Sequence, residues 1–298
     1  MESGLEACLR PASSRRLLLD KNGRSGLTIR YPQSGIERFL LPARFCFLVG
    51  AFHVPSFPIF SVAIPAYNEA RLLPRLLDSI AVARARYGDD PNAIEVIVGN
   101  NGSTDATAEI ARARGCVVVE VEKRTIAAAR NGAASAARGK ILCFIDADSI
   151  LHPETFNEIE QVMKQGRCAV GASGVWMERM SAGIAATWLL MVPATRMLGL
   201  DTGVVFCRRE DFAAVGGYRE QLIVAEDVDF MWRLKRHGRK QGAKFRRLPT
   251  ARAITSTRKF DRHGDWHYFA IMFGFPFRLI FARAAARKQA WAYWYADR

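Results

Sequence analysis

From residue 60 onward, short apolar runs alternate with amphipathic stretches, and this alternation constrains the fold more than any other feature of the chain. Phe60 to Pro65, Ile94 to Gly99, Cys116 to Val121 and Ile141 to Ile145 are strand-length and largely apolar, as strands covered on both faces are. Between them the apolar spacing predicts helices over 70–86, 104–114 and 126–138. Strands and helices taken in turn argue a mostly parallel sheet with helices on both faces. Further along, the pattern predicts a strand over 168–176, an apolar helix over 182–198, a strand over 203–207 and an acidic helix from 226. Two short basic strands within 244–257 then lead into a helical, aromatic tail.

Three of the first four strands end in polar punctuation: Ala66-Tyr67-Asn68-Glu69, then Asn100-Asn101-Gly102-Ser103-Thr104-Asp105, then Asp146-Ala147-Asp148. In a parallel sheet these ends share one rim, the place where open α/β sheets bind ligands. One such end alone is only a turn; three together point to a nucleotide crevice. Asp146 and Asp148 stand two apart, so on extended chain their carboxylates point to the same side and converge on one cation. Mg²⁺ or Mn²⁺ takes hard oxygen ligands and keeps positions for phosphate oxygens, which suits a metal-bound diphosphate. The plainer reading of the pair is an acidic helix cap leading into Pro153.

Taken in order, Ser61-Val62-Ala63-Ile64-Pro65-Ala66-Tyr67-Asn68-Glu69, Glu95-Val96-Ile97-Val98-Gly99-Asn100-Asn101-Gly102-Ser103-Thr104-Asp105 and Phe144-Ile145-Asp146-Ala147-Asp148 resemble the family 2 glycosyltransferases of the GT-A fold. The resemblance covers roughly residues 60 to 260. It implies a Rossmann-like, mostly parallel sheet with flanking helices, and a donor pocket lined by Pro65, Ala66, Tyr67 and Glu69. It further implies Asp146 at ribose or metal and Asp148 as metal ligand, with Mg²⁺ or Mn²⁺ and a UDP-sugar as donor. Family members usually carry Asp at the position of Asn100; an amide both accepts and donates, so the preference for uracil is loosened. For Arg124 and Arg130 two readings stay open, contact with base or diphosphate and a solvated helix face.

In Glu226-Asp227-Val228-Asp229, acids at a helix start serve as caps and dipole partners. The resemblance assigns more: Asp227 as the base for an inverting displacement, with Glu226 raising its pKa by like-charge repulsion. It also places Gly216, Gly217 and Tyr218 at the acceptor, although a simple turn explains the two glycines almost as well.

The resulting expectation is a leader over 1–58, a catalytic domain over 59–258 divided into a nucleotide-binding half (59–150) and an acceptor half (151–258), and an aromatic, basic tail over 259–298. The leader carries eight Lys/Arg against four Asp/Glu with no sustained period, as a poorly ordered segment does. Its apolar run comes too late for a signal peptide. Six scattered cysteines without a CxxC pair argue free thiols in a reducing compartment. Apolar runs at 39–52 and 266–281 are broken by Pro42 and Arg44 and by Pro276 and Arg278, so neither reaches the roughly 18 apolar residues of a spanning helix. Twelve aromatic residues from Phe260 onward, interleaved with arginines, suit a membrane surface or a packed tail. A cytoplasmic protein, peripheral on the inner face of the membrane, follows.

The formal charge of +14 attracts anions without choosing among them. No zinc finger, basic zipper or aromatic RNA-binding signature accompanies it, and nucleic acid is not expected as a partner. A nucleotidyltransferase would need a glycine-rich basic loop where Tyr67-Asn68-Glu69 stands. The expected partners are a nucleotide-sugar and a carbohydrate or lipid-linked acceptor, with one sugar moved per reaction. The alternatives are a catalytically degenerate GT-A protein and a basic membrane- or nucleic-acid-binding protein.

Overall fold

The computed structural model describes residues 16–19, 25–28, 57–88, 90, 92–222 and 225–269. The chain forms two units, Met1–Pro55 and Ser56–Arg298. In the first, β1 (Arg16–Leu19) pairs antiparallel with β2 (Ser25–Thr28). The rest of the expected leader, and the tail from 270 with its cluster Trp291, Tyr293, Trp294 and Tyr295, lie outside the described residues.

In the second unit the chain runs β3 (Phe60–Ala66), α1 (Leu73–Tyr87), β4 (Ile94–Asn100), α2 (Thr107–Ala113), β5 (Val117–Glu120), α3 (Ile126–Ser135) and β6 (Ile141–Phe144). It continues through β7 (Ser149–Ile150), α4 (Thr155–Lys164), β8 (Cys168–Ala172), β9 (Val175–Met177), α5 (Ala182–Leu198), β10 (Val205–Arg208), α6 (Arg209–Ala214), α7 (Glu226–Arg239), β11 (Lys244–Arg247), β12 (Ala253–Thr255) and α8 (Arg258–His263). Seven strands form the main sheet in the order β11-β8-β10-β6-β3-β4-β5. The pairs β3–β4, β3–β6, β4–β5 and β8–β11 are parallel, while β10 runs antiparallel to both neighbours. The sheet is therefore mostly parallel, with helices on both faces.

Alternation along buried strands divides the core. Phe60, Val62 and Ile64 face α1 and α4 through Leu73, Leu76, Ile80, Phe156 and Ile159. Ala63, Ile97, Leu142 and Phe144 face α3 and α7 through Ala127, Ala133, Phe230, Met231 and Leu234. Helix α3 is capped by the Thr125 hydroxyl, which accepts from the Ala128 N–H at 3.1 Å. Its inner face is almost all alanine, so it lies close on β3 and β4. A Cβ at Gly99 would collide with the carbonyl of Ala129. Small residues on both partners thus set the helix height, and that height brings the next side chain, Arg130, to the rim.

The expected strand over 168–176 is two strands. It breaks at Ser173-Gly174, where Gly174 takes φ +77°, and β9 leaves the main sheet for a smaller one of order β7-β12-β9. The smaller sheet lies beyond the rim: the Ser256 N–H donates to the carbonyl of Asp148 at 3.2 Å. Helix α8 begins at Arg258, the last residue of the expected catalytic domain, so the fold continues into the segment read as tail. The described cysteines Cys116, Cys143, Cys168 and Cys207 are free thiols; Cys8 and Cys46 lie outside the described residues. No helix among the described residues is long and apolar enough to cross a membrane.

Candidate active site

The rim is assembled by its own loops. Asn68 adopts φ +52°, a conformation asparagine tolerates, and its Oδ1 accepts from the Thr104 N–H at 2.8 Å. In return the Asn68 N–H donates to the Ser103 hydroxyl at 3.0 Å. Asp105 receives the N–H of Ala70 at 3.0 Å and that of Thr107 at 3.0 Å, tying the loop after β3 to the start of α2. Pro65 and Ala66 pair in register with Gly99 and Asn100. Above them the exposed guanidinium of Arg124 stands 5.1 Å over the half-buried ring of Tyr67, making a cation–π platform at the mouth of the crevice.

Asn100 is buried, and its amide donates to Glu120 at 2.6 Å while its carbonyl accepts from the Ser103 N–H at 3.3 Å. That neighbour gives the departure from the family pattern a physical reason. An aspartate at position 100 would face the Glu120 carboxylate, whereas asparagine supplies the donor the carboxylate needs. Glu120 also pairs with Arg112 at 2.7 Å.

Arg130 occupies the centre. Its side chain is only 7% exposed and meets Asp146 at 2.9 Å, Glu226 at 3.0 Å and Asp227 at 2.5 Å. One guanidinium therefore gathers the turn after β6 and the first turn of α7. Two readings stood open for Arg130, contact with base or diphosphate and a solvated helix face; the side chain is buried, and its observed partners are these three carboxylates. Burial opposes its charge, and Asp227, Asp146, Tyr218 and Glu226 more than offset that, so it is held charged even more firmly than usual.

Asp227 is pushed up to about 7, first by the protein packed around it, then by Glu226 and Asp146, with Arg130 opposing. Burial leads here, the attraction of Arg130 opposes it, and the repulsion from Glu226 follows. Helix α7 starts from Ala225 at φ +62°, a strained conformation for a residue with a Cβ, immediately before the two acids.

A second arginine closes the outer side. Arg258 of α8 grips both oxygens of buried Glu69, at 2.7 and 2.5 Å, and reaches Asp148 at 3.1 Å. Glu69, expected at base and ribose, is thus an anchor for Arg258. Asp146 acts electrostatically on the same guanidinium. Asp146 itself is 57% exposed and faces the opening.

Two carboxylates two residues apart, facing a common cation, are a suitable hard-oxygen set for Mg²⁺ or Mn²⁺, which keep waters and take diphosphate oxygens. Among the described residues no group of three metal-ligating side chains forms. His263 and His267 pack ring against ring at 5.5 Å, and neither joins the aspartates in such a group.

Gly216 and Gly217 both take left-handed φ, +73° and +64°, and a Cβ at Gly217 would stand 2.7 Å from Asn131. Asn131 of α3 clamps this loop, donating to the Tyr218 carbonyl at 2.9 Å and accepting from its N–H at 2.8 Å. Tyr218 itself is 2% exposed, stacked on Phe230 at 4.0 Å beneath Arg130. It therefore supports the acid cluster from below, and Gly216 is the exposed member of the loop. Asn131, Arg258 and Glu120 emerge only from the folded chain.

With this geometry in hand, comparisons place the chain. The family model described as Glycosyl transferase family 2 matches residues 61–214, more than half of the chain. The chain is similar to the glycosyltransferase AglE of Haloferax volcanii, 33% identical over 126 residues that cover 40% of this chain and 38% of the relative. It is also similar to a dolichyl-phosphate beta-glucosyltransferase of Drosophila melanogaster, 35% identical over 115 residues, 35% of each chain. These matches thus cover well under half of either relative. Among solved structures it resembles mannosyltransferase PcManGT from Pyrobaculum calidifontis in complex with GDP-Man and Mn²⁺, with TM-score 0.51 and 21% identity over 67% of this chain and 57% of that one. S. aureus TarS 1-349 in complex with UDP-GlcNAc gives TM-score 0.52 and 21% identity over 66% and 58%. The chain belongs to glycosyl transferase family 2 and carries the GT-A fold.

Proposed function

We propose that this chain transfers one sugar from a nucleotide-sugar, of which a UDP-sugar is the first choice, to a hydroxyl of a glycan or lipid-linked acceptor, with inversion. The observation that carries the reading is the Arg130 guanidinium, which holds Asp146 and the Glu226-Asp227 pair around one point. A donor whose diphosphate lies by Asp146 and Asp148 then presents its sugar towards Asp227. Tyr67 and Arg124 offer a flat, cationic surface for the base. Exposed Gly216, with open space where a Cβ would stand, lets acceptor approach the backbone closely, while Gly217 packs the loop against Asn131.

In the reaction an oxygen of Asp227 takes the proton of the acceptor hydroxyl as that oxygen attacks the anomeric carbon, and the nucleoside diphosphate departs with the bonding electrons. A pKa near neutrality suits a base that must be ionised at rest yet accept a proton. Arg130 fixes the carboxylate in place, so the reactants meet with little reorganisation. A divalent ion held by Asp146 and Asp148 would supply neutralisation of the leaving diphosphate.

The lipid-linked acceptor is favoured by α5, which exposes Leu189, Leu190, Met191, Met197 and Leu198, next to Trp176 stacked on Trp188 at 5.6 Å. A peripheral location on the inner face of a membrane follows from that surface together with the aromatic tail. Thermal-shift measurement with UDP- and GDP-sugars, with and without Mn²⁺, tests the donor reading. Stabilisation by one donor that needs Mn²⁺ and is lost in Asp148→Asn supports it, and no stabilisation by any donor removes it. Flotation with liposomes at low and high salt tests the membrane reading, and failure to float at either salt removes that part alone.

A further inference from the structure

Outside the acid cluster, the strongest unexplained feature is a cleft of about 290 Å³ between α6 and α7, lined by Ala214, Val215, Arg219, Arg233, Arg236, His237 and Lys240. Its charge is one-sided. Asp229 answers both Arg219 at 3.1 Å and Arg233 at 2.7 Å, and Asp211 answers His237 at 3.4 Å. Arg236 and Lys240 have no acid partner among the described residues. Of the four permanent cations, Arg219 and Arg233 thus share the one carboxylate of Asp229.

Basic residues in the last turn of a helix complement its dipole, and α7 ends in Arg236, His237 and Arg239. That accounts for Arg236 but not for Arg233, one turn earlier, nor for Arg219, which enters from the loop after the glycines. Arg233 is the telling residue: its side chain is 10% exposed, Nε donates to Asp229 and Nη1 to the Val215 carbonyl at 2.8 Å. Its Nη2 is buried with no hydrogen-bond partner. A guanidinium taken from water with a donor unanswered costs free energy that a bound anion recovers. A single carboxylate would leave most of the charge unbalanced, whereas a phosphate-type group brings two charges and several acceptor oxygens to fork-shaped donors.

We propose that this cleft is a second anion site, separate from the donor crevice, that takes a phosphomonoester or diphosphate group. Its wall is continuous with the rest of the enzyme. Arg233 holds Val215, directly before Gly216 and Gly217, and it stands on the same helix as Asp227. None of the lining residues belongs to the proposed transfer machinery, so the two readings stand or fall separately.

Isothermal calorimetry of the full chain with inorganic pyrophosphate in EDTA tests the site. The expected result is binding that Asp148→Asn, in the donor crevice, leaves unchanged and that the double variant R236Q/K240Q weakens about tenfold, as loss of two exposed charge contacts does. Circular dichroism of the double variant checks that it folds. Vesicles of phosphatidic acid and of phosphatidylcholine separate the sources. Sedimentation with the first only, lost in R236Q/K240Q, makes the group a lipid headgroup, and capture of pyrophosphate alone makes it a soluble ligand. Absence of binding to both pyrophosphate and phosphatidic acid overturns the proposal, as does binding that R236Q/K240Q leaves at full strength.

Discussion

Replacing Arg130 with methionine keeps an unbranched apolar stem and removes the cation that three carboxylates share. Asp146 is more than half exposed, so its share is worth less than about 1 kcal/mol. Glu226 and Asp227 are the costly partners, since their side chains are 11% and 31% exposed and the arginine between them is nearly closed off. Removing one member of a buried ion pair costs about 3–5 kcal/mol; the partial exposure of Asp227 puts the expected loss near the lower end, about 3 kcal/mol at pH 8. The pH dependence follows in sign. Asp227 is already raised to about 7, and without Arg130 it loses the charge that opposes that shift, so its folded pKa moves further above the unfolded one. The cost is then largest above that raised value and shrinks as pH falls and Asp227 protonates. Urea denaturation of wild type and Arg130→Met at pH 8 and pH 5 measures both effects. A loss below about 1 kcal/mol, or one equal at the two pH values, would refute the view that Arg130 neutralises a buried acid cluster.

Four further outcomes are expected. With Asp227 raised to about 7, kcat/KM climbs as pH rises towards and through neutrality, because the base must lose its proton; a flat profile from pH 5 to 8 contradicts it. The same shift means that the folded chain holds a proton the unfolded chain has released, so stability falls as pH rises from the ordinary carboxylate range to about 7, and Asp227→Asn flattens that slope in denaturation curves. Asn100→Asp sets a carboxylate against Glu120 and lowers stability by about 1–3 kcal/mol, and adding Glu120→Gln restores most of it; a double-mutant cycle without coupling dismisses the Asn100–Glu120 argument. Arg258→Ala frees Asp148, so Mn²⁺ binding to the donor-free protein, followed by electron paramagnetic resonance, tightens by about fivefold; unchanged affinity shows that Arg258 does not compete for that carboxylate.

Much of the sheet was legible because strands buried on both faces must be apolar throughout, and β3, β4 and β6 are flanked by residues that cannot continue them. Helix α5 was legible from end to end: Ser181 caps it, an apolar run fills it and Gly199 ends it at φ +58°. The smaller sheet was not, since β7 has two residues and β9 three, too few to express a period of two. Helix α4 does carry Phe156, Ile159, Val162 and Met163 at helical spacing, and only packing shows that this short amphipathic stretch covers the same core face as α1.

The acids stood out in the sequence because each closes an apolar run or opens a helix, and local pattern marks such places. Their counter-ions did not. Arg258 meets Glu69 across 189 positions, and in a chain with 43 lysines and arginines no spacing singles it out. The resemblance put Tyr218 at the acceptor, but the two left-handed glycines before it turn the chain so that the ring goes inward onto Phe230. Side chains that make contact through tertiary closure leave little trace in local periodicity.

The central claim is that Asp227 takes the acceptor's proton beside a donor held at Asp146 and Asp148. Donor affinity by calorimetry and single-turnover sugar transfer, measured together on Asp227→Asn with the donor found by thermal shift, test it most directly. The account predicts wild-type donor affinity with transfer lowered by a factor on the order of 10²–10⁴, the usual contribution of a general base. Transfer at the wild-type rate, or a donor affinity that collapses along with it, would contradict the assignment.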